Sequence, residues 1–340
     1  MIDYITPSAI DIRITDGANV VGANGQISFD TSSNTVYIYD GVSVGGRYSV
    51  ATAYVEPPKF QGTVSGYTSG GQPGTDTIDK FSFSSDGNAT DVGDLTASRS
   101  YNAGQSSTSS GYTSGGFTPP VVTNIIDKFP FSSDANATDV GDLFDSVLEA
   151  AGQSSSESGY TSGGYAPGAT NVIQKFSFSA DGNATDVGDL TRSHRFIGGG
   201  QSSDVSGYTS GGGPAVTNII DKFPFATDTN ATDVGDLTQS RSAVSGQSSS
   251  THGYTSGGSY GNIIDKFPFS SDGNASDVGD LTQSRTYTTG QSSVASGYSS
   301  GGWAPGTSNI IEKFPFSSDA NATDVGDITQ ARYSAAGQQV

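Results

Sequence analysis

Apolar and polar residues alternate down this chain in short runs that predict strands rather than helices. In Ile125-Ile126-Asp127-Lys128-Phe129-Pro130-Phe131 the phenylalanines stand two apart and so share one face of a strand. Three companion runs accompany it: Ala103-Gly104-Gln105-Ser106-Ser107, Gly111-Tyr112-Thr113-Ser114 and Thr138-Asp139-Val140-Gly141-Asp142-Leu143. In chain order they are strands a, b, c and d. The small residues of strand a suit a crowded inner position, and Gly115-Gly116 ends strand b. The phenylalanines of strand c are expected to form the core between neighbouring units. Pro130 between them lacks a ladder donor, which conflicts with full pairing on both sides.

The whole group recurs six times. Its first glycine falls at Gly66, Gly111, Gly159, Gly207, Gly253 and Gly297, spaced by 45, 48, 48, 46 and 44 residues. A β-rich period in the forties, punctuated by glycine, predicts an all-β fold: a six-bladed propeller with one blade per repeat. Tyr333-Ser334-Ala335-Ala336-Gly337-Gln338 follows the last strand d and matches strand a, whereas the first block offers only Phe60-Gln61-Gly62 there. The C-terminal strand is therefore expected to complete the first blade and close the ring.

Residues ahead of the repeats follow another pattern. Ile10, Ile12 and Ile14 alternate with polar residues, and Gln26–Asp30 and Thr35–Tyr39 flank a four-residue turn, a hairpin signature. These strands are too few for a large core of their own. The division expected is a β attachment module over 1–58 and the propeller over 59–340, with Val55–Lys59 as a linker stiffened by Pro57-Pro58.

Composition narrows the function. Cysteine is absent, which removes disulfides and thiolate chemistry, and a net charge of −19 disfavours nucleic acid and anionic lipid. Neither a secretory signal after Met1 nor a membrane-length apolar run is visible. Each block carries one lysine in strand c, read as the partner of an aspartate on the next blade. Arg99, Arg192, Arg241, Arg285 and Arg332 follow strand d in five blocks and are read as structural partners of such aspartates.

The repeated Asp-x-Asn-Ala-Thr/Ser-Asp turn admits four readings. Asp86, Asn88 and Thr90 have the odd-position spacing of a calcium loop, but Asp91 stands where its glycine belongs and no glutamate closes it. Asn88-Ala89-Thr90 is a formal glycosylation site. Ser84-Ser85-Asp86-Gly87 approaches the Asp-box of sialidase propellers, with its glycine one position early. The favoured reading is a plain Asx-turn joining strands c and d, with no metal and no cofactor.

Catalytic signals are sparse. His194 and His252 lack matching partners, and no nucleophile elbow or phosphate loop appears. A glycan hydrolase would need two converging carboxylates; Asp76, Asp145, Glu149, Glu157 and Asp204 break the repeat, but nothing in the sequence brings two together. The expectation is a protein that is not an enzyme. The segments between strands b and c vary most and carry Phe117, Tyr165, Tyr260 and the only tryptophan, Trp303. An aromatic loop face on a rigid scaffold points to ligand binding at these four residues; the equal alternative is that each aromatic caps its own blade by packing on an adjacent proline.

The order of Gly-Gly, aromatic strand c, turn, strand d and trailing basic residue over residues 60–340 resembles the kelch repeat. Val92, Val140 and Val187 lie near where kelch repeats carry a tryptophan in strand d. The blocks are similar to those of kelch-like proteins of marine bacteriophages, and Gly25–Asp30 with Val36–Gly41 is similar to short modules of phage fibre proteins. The resemblance implies a virion appendage, such as a tail fibre or head fibre. Its N-terminal module would bind other virion proteins, and its propeller would contact a host-surface glycan or protein, without membrane insertion. It also implies a homo-oligomer in the particle. A capsid decoration or scaffold protein without a specific ligand is the alternative.

Overall fold

The computed structural model describes residues 60–165, 167–196 and 199–340, and ahead of them the backbone of four short strands. The chain forms two compact units, Met1–Pro57 and Pro58–Val340. In the first, Arg13–Ile14, Ile27–Asp30, Thr35–Tyr39 and Arg47–Val50 make one sheet in that order. Ile27 faces Ile38 and Asp30 faces Thr35, the register of the hairpin read from the sequence. The last strand was not anticipated. Ile10, Ile12 and the Val55–Lys59 linker lie outside the described residues.

The second unit is a six-bladed β-propeller. Each blade is a four-stranded antiparallel sheet in the order a-b-c-d. The second contains Ala103–Ser106, Ser110–Ser114, Ile125–Pro130 and Thr138–Asp142. Ala336–Gln339 supplies strand a of the first blade, with Ala336 opposite Ser69 and Gln339 opposite Gly66. Phe60–Gly62 makes no strand a; Gly62 forms a lone parallel bridge to Ser293 instead.

The small residues of strand a bring the inner strands together backbone to backbone. A Cβ on Gly104 would stand 2.2 Å from the carbonyl oxygen of Gly337, and the other five glycines at this position meet the same obstacle. Only glycine fits there. Beside this ring each blade reaches the next through a buried glutamine. Gln105 Nε2 donates to Tyr160 O at 2.9 Å, and Gln153, Gln201, Gln247, Gln291 and Gln338 make the equivalent bond.

The core is six separate clusters, one at each blade junction. Tyr67, Ile78 and Leu95 of the first blade pack on Phe129, Phe131 and Ala137 of the second. The Tyr67 ring lies 5.5 Å from Phe129 and 5.0 Å from Phe131, and the same triangle recurs around the ring. Each buried aromatic contributes about 1.5–3 kcal/mol. The proline conflict resolves at the strand end. Strand c keeps its outer partner only to Lys128, opposite Thr138, while Pro130 still faces Ser110 on the inner side. Phe131 N donates inward to Ser109 O, so by alternation the donor missing at Pro130 would have pointed outward, where no strand runs.

The two aspartates and the asparagine of the repeated Asp-x-Asn-Ala-Thr-Asp turn each have a partner, two of the three on the preceding blade. Asp134 accepts Lys80 at 2.9 Å, and five equivalent pairs complete a ring, ending with Lys313 and Asp86. Asn136 Oδ1 accepts Asp94 N, and Ala137 N donates to Asp94 O. Asp139 Oδ1 accepts Gly141 N within its own strand. The Asp and Asn oxygens thus accept backbone amides as the sequence suggested, and the bonds to the preceding blade make the turn a clasp between blades as well. Among the described residues no group of three or more His, Asp or Glu could hold a metal ion.

The arginines need one correction. Arg99 pairs with the strand-c Asp127 of the next blade at 2.9 Å, with both side chains almost free of solvent, and Thr96 donates twice to the same carboxylate. Arg241–Asp265, Arg285–Glu312 and Arg332–Asp79 repeat the pair. Arg192 does not. It stands two places after Leu190 and is exposed, whereas the arginine position is four places after that leucine and holds His194. Burial lowers the pKa of His194 against the opposing pull of Asp221. At the second junction the buried arginine is Val147 and the acid is Gln174, so both charges are missing together.

Candidate functional site

The b–c and d–a connections share one face of the propeller, because they pair with one another. Phe117 bridges Ser100, Tyr165 bridges Leu148, Trp303 bridges Thr286, and Gln72 bridges Tyr333. Phe117, Tyr165 and Trp303 thus occupy equivalent, half-buried places on three blades. Tyr260 stands one place further along and is 67% exposed. No two of the four are in ring contact. The structure puts all four on one face and does not gather them into one platform.

What it gathers lies inward of them, at the mouth of the central channel. The residue three places before each strand-a pair Gly-Gln adopts a left-handed backbone: Tyr101, Glu149, Ala243, Tyr287 and Ser334, together with Phe196, where the loop is one residue longer. Their φ angles run from 53° to 61°. Non-glycine residues rarely take this conformation, and it persists where surroundings impose it. Here backbone bonds from one d–a loop to the next hold it at five of the six. Tyr101 N donates to Ser334 O, Glu149 N to Tyr101 O, Ala243 N to Phe196 O, Tyr287 N to Ala243 O and Ser334 N to Tyr287 O. The scaffold is six-fold, while its six side chains are almost all different.

Large side chains at four of these places meet over small ones at the other two. Tyr287, flanked by Ala243 and Ser334, reaches Tyr101 at 6.0 Å and Phe196 at 6.1 Å between ring centroids. Tyr333 joins both tyrosines and contacts Trp303 at 5.4 Å, which links the mouth to one of the aromatics singled out in the sequence. The Arg195 guanidinium lies over the rings of Tyr165 and Phe196 at 5.1 and 4.7 Å, linking a second. Beneath the mouth is a cavity of about 120 Å³ running along the strands a. Phe60 lines its far end, held by Gln339 Nε2 on its carbonyl oxygen and by Gln61 Nε2 on Ser248 O.

The electrostatics centre on Glu149. Burial raises its pKa to about 7, and Arg195 only partly opposes this. Its Oε2 is buried without a hydrogen-bond partner. Burial, and then the negative field of Glu149, pushes Tyr287 up to about 12; burial also raises Tyr101, helped by its neighbour Tyr333. Ser334 Oγ and both amide atoms of Asn102 line the same cavity and are likewise buried without partners. Of the five acids that break the repeat, Glu149 alone lines this cavity; Asp204 lies by Phe60 near the opposite end, and Asp76, Asp145 and Glu157 lie elsewhere.

The chain matches no protein-family model, and no curated protein matches it.

Proposed function

We propose that this chain is a non-enzymatic recognition protein, whose propeller contacts a surface ligand through the face that carries the b–c and d–a loops. One observation carries the reading. The mouth of a six-fold scaffold holds six residues in a costly backbone conformation, and there, rather than in the walls, the repeats diverge. Strain and unpartnered polar groups of this kind gather where binding needs them. A single carboxylate at the mouth favours binding over glycoside hydrolysis, which uses two acids.

The resemblance to marine phage proteins supplies the setting. In this proposal residues 1–58 dock to other virion proteins, several copies assemble in the particle as a tail or head appendage, and the propeller meets a host-surface glycan or protein. Labelled full-length protein, incubated with a panel of marine bacterial cells, should bind some strains saturably. Substitution of Phe117, Tyr165, Tyr260 and Trp303 by alanine should weaken that binding. Absence of saturable binding to every strain, by protein with a normal thermal melt, would leave the decoration or scaffold reading in its place.

A further inference from the structure

The six mouth positions divide into two arcs. Ser334, Tyr101 with Asn102, and Glu149 follow one another around the ring, and among the described residues this arc holds the unpartnered buried polar atoms that d–a loops contribute to the cavity lining. Phe196, Ala243 with Val244, and Tyr287 make up the other arc and offer rings and methyl groups. The polar arc has acceptors in Glu149 Oε2 and Asn102 Oδ1 and donors in Asn102 Nδ2 and the Ser334 hydroxyl. A mixture of donors and acceptors facing an aromatic surface suits a molecule with one apolar face and an edge of hydroxyls, since a hydroxyl both donates and accepts.

Charge restricts the class further. An anion at the mouth would lie against Glu149 in a chain of net charge −19, and a cation would lie against Arg195. The shaft restricts the size. The cavity along the strands a holds about 120 Å³ and Phe60 lines its other end, which suits one sugar residue better than a threaded polymer. We infer that the channel mouth binds one neutral sugar residue end-on, its apolar face on Tyr287 and Phe196 and its hydroxyls bonded to Glu149, Asn102 and Ser334. This rests on the recognition reading above and moves the specific contact inward from the b–c aromatics to the d–a ring.

The repeats supply their own controls. Ala243 already occupies a left-handed position in the ring, so alanine at Tyr287 or Glu149 is compatible with the backbone there. The full chain would be titrated with the methyl glycosides of glucose, galactose, mannose and N-acetylglucosamine, with glucuronate and N-acetylneuraminate as anionic counterparts. Calorimetry and the fluorescence of Trp303, which touches Tyr333 at the edge of the mouth, would be read together. At least one neutral glycoside should bind saturably and the anions should not. Tyr287→Phe should keep the affinity, while Tyr287→Ala and Glu149→Ala should each weaken it by about tenfold or more. Failure of all four neutral glycosides by calorimetry, or binding indifferent to Tyr287→Ala, would overturn the inference. If cells still bind in that case, the recognition reading survives and the ligand sits on the b–c loops; if cells do not bind either, both readings fall.

Discussion

Glu149 places a measurable burden on the fold. Its pKa moves from 4.5 to about 7 on folding, so between those values the native chain holds a proton that the unfolded chain has released. Its contribution is therefore most favourable below about pH 4.5, declines as the pH rises through 7, and is constant above. Glu149→Gln should raise the stability at pH 8 and leave it unchanged at pH 4. A full shift of this size would exceed 2 kcal/mol, but the group still reaches solvent, so about 1–2 kcal/mol is expected. Thermal melts of both proteins at the two pH values test this. Val147 and Gln174 pose the complementary case, a buried ion pair deleted as a unit. Val147→Arg or Gln174→Asp alone should cost about 3 kcal/mol or more, because each buries an unpaired charge. The double substitution should recover much of that loss in denaturant titrations, since Arg99 and Asp127 show that the geometry exists. In the sequence these exchanges are marked only by the fixed distance of four places from the apolar residue that ends strand d, Leu143 for Val147 and Leu190 for His194. Arg192 is the basic residue nearest that leucine and forms none of the buried pairs.

At the level of elements, strands a to d were legible almost to the residue, because six copies average out local ambiguity and the two-residue period of Phe129 and Phe131 marks a buried face. The mouth was not. Tyr101 and its counterparts fall in the d–a segment, which reads as a plain connection, and their left-handed backbone comes from bonds to a neighbouring blade that no local pattern encodes. The available signal was variability: Tyr, Glu, Phe, Ala, Tyr and Ser occur at one position of a variable segment between the near-constant strands d and a. The same contrast made the b–c aromatics stand out, and Trp303 and Tyr165 do adjoin the mouth through Tyr333 and Arg195. The closing strand yields an element-scale prediction. Deleting residues 336–340 would strip the inner edge of the first blade and remove Gln338, which bonds across to Tyr112. A fall in melting temperature of about 10 °C or more is expected by calorimetry, together with association through the bared edge.

In the whole propeller, the repeats act less as independent blades than as halves of six interfaces. Lysine to aspartate, glutamine to tyrosine carbonyl, asparagine to the strand-d amide and tyrosine to paired phenylalanines all run from one blade to the next. The lysine pairs are open to solvent and worth about 0–1 kcal/mol each, so high salt should shift the melt only slightly. The arginine pairs are buried, so losing one arginine should cost far more.

The chain enters this ring at the place where the ring is fastened. Gly62 N donates to Ser292 O, and Val64 N and Ser65 N both donate to Val340 O, the last residue of the sequence. A pull on the leading segment is thus passed straight to the closing strand at the end where Gly66 faces Gln339, so the hydrogen bonds of that antiparallel ladder would open one after another from there. Stretching the chain from its two ends would therefore open this seam first, and at low force, before any other blade is disturbed.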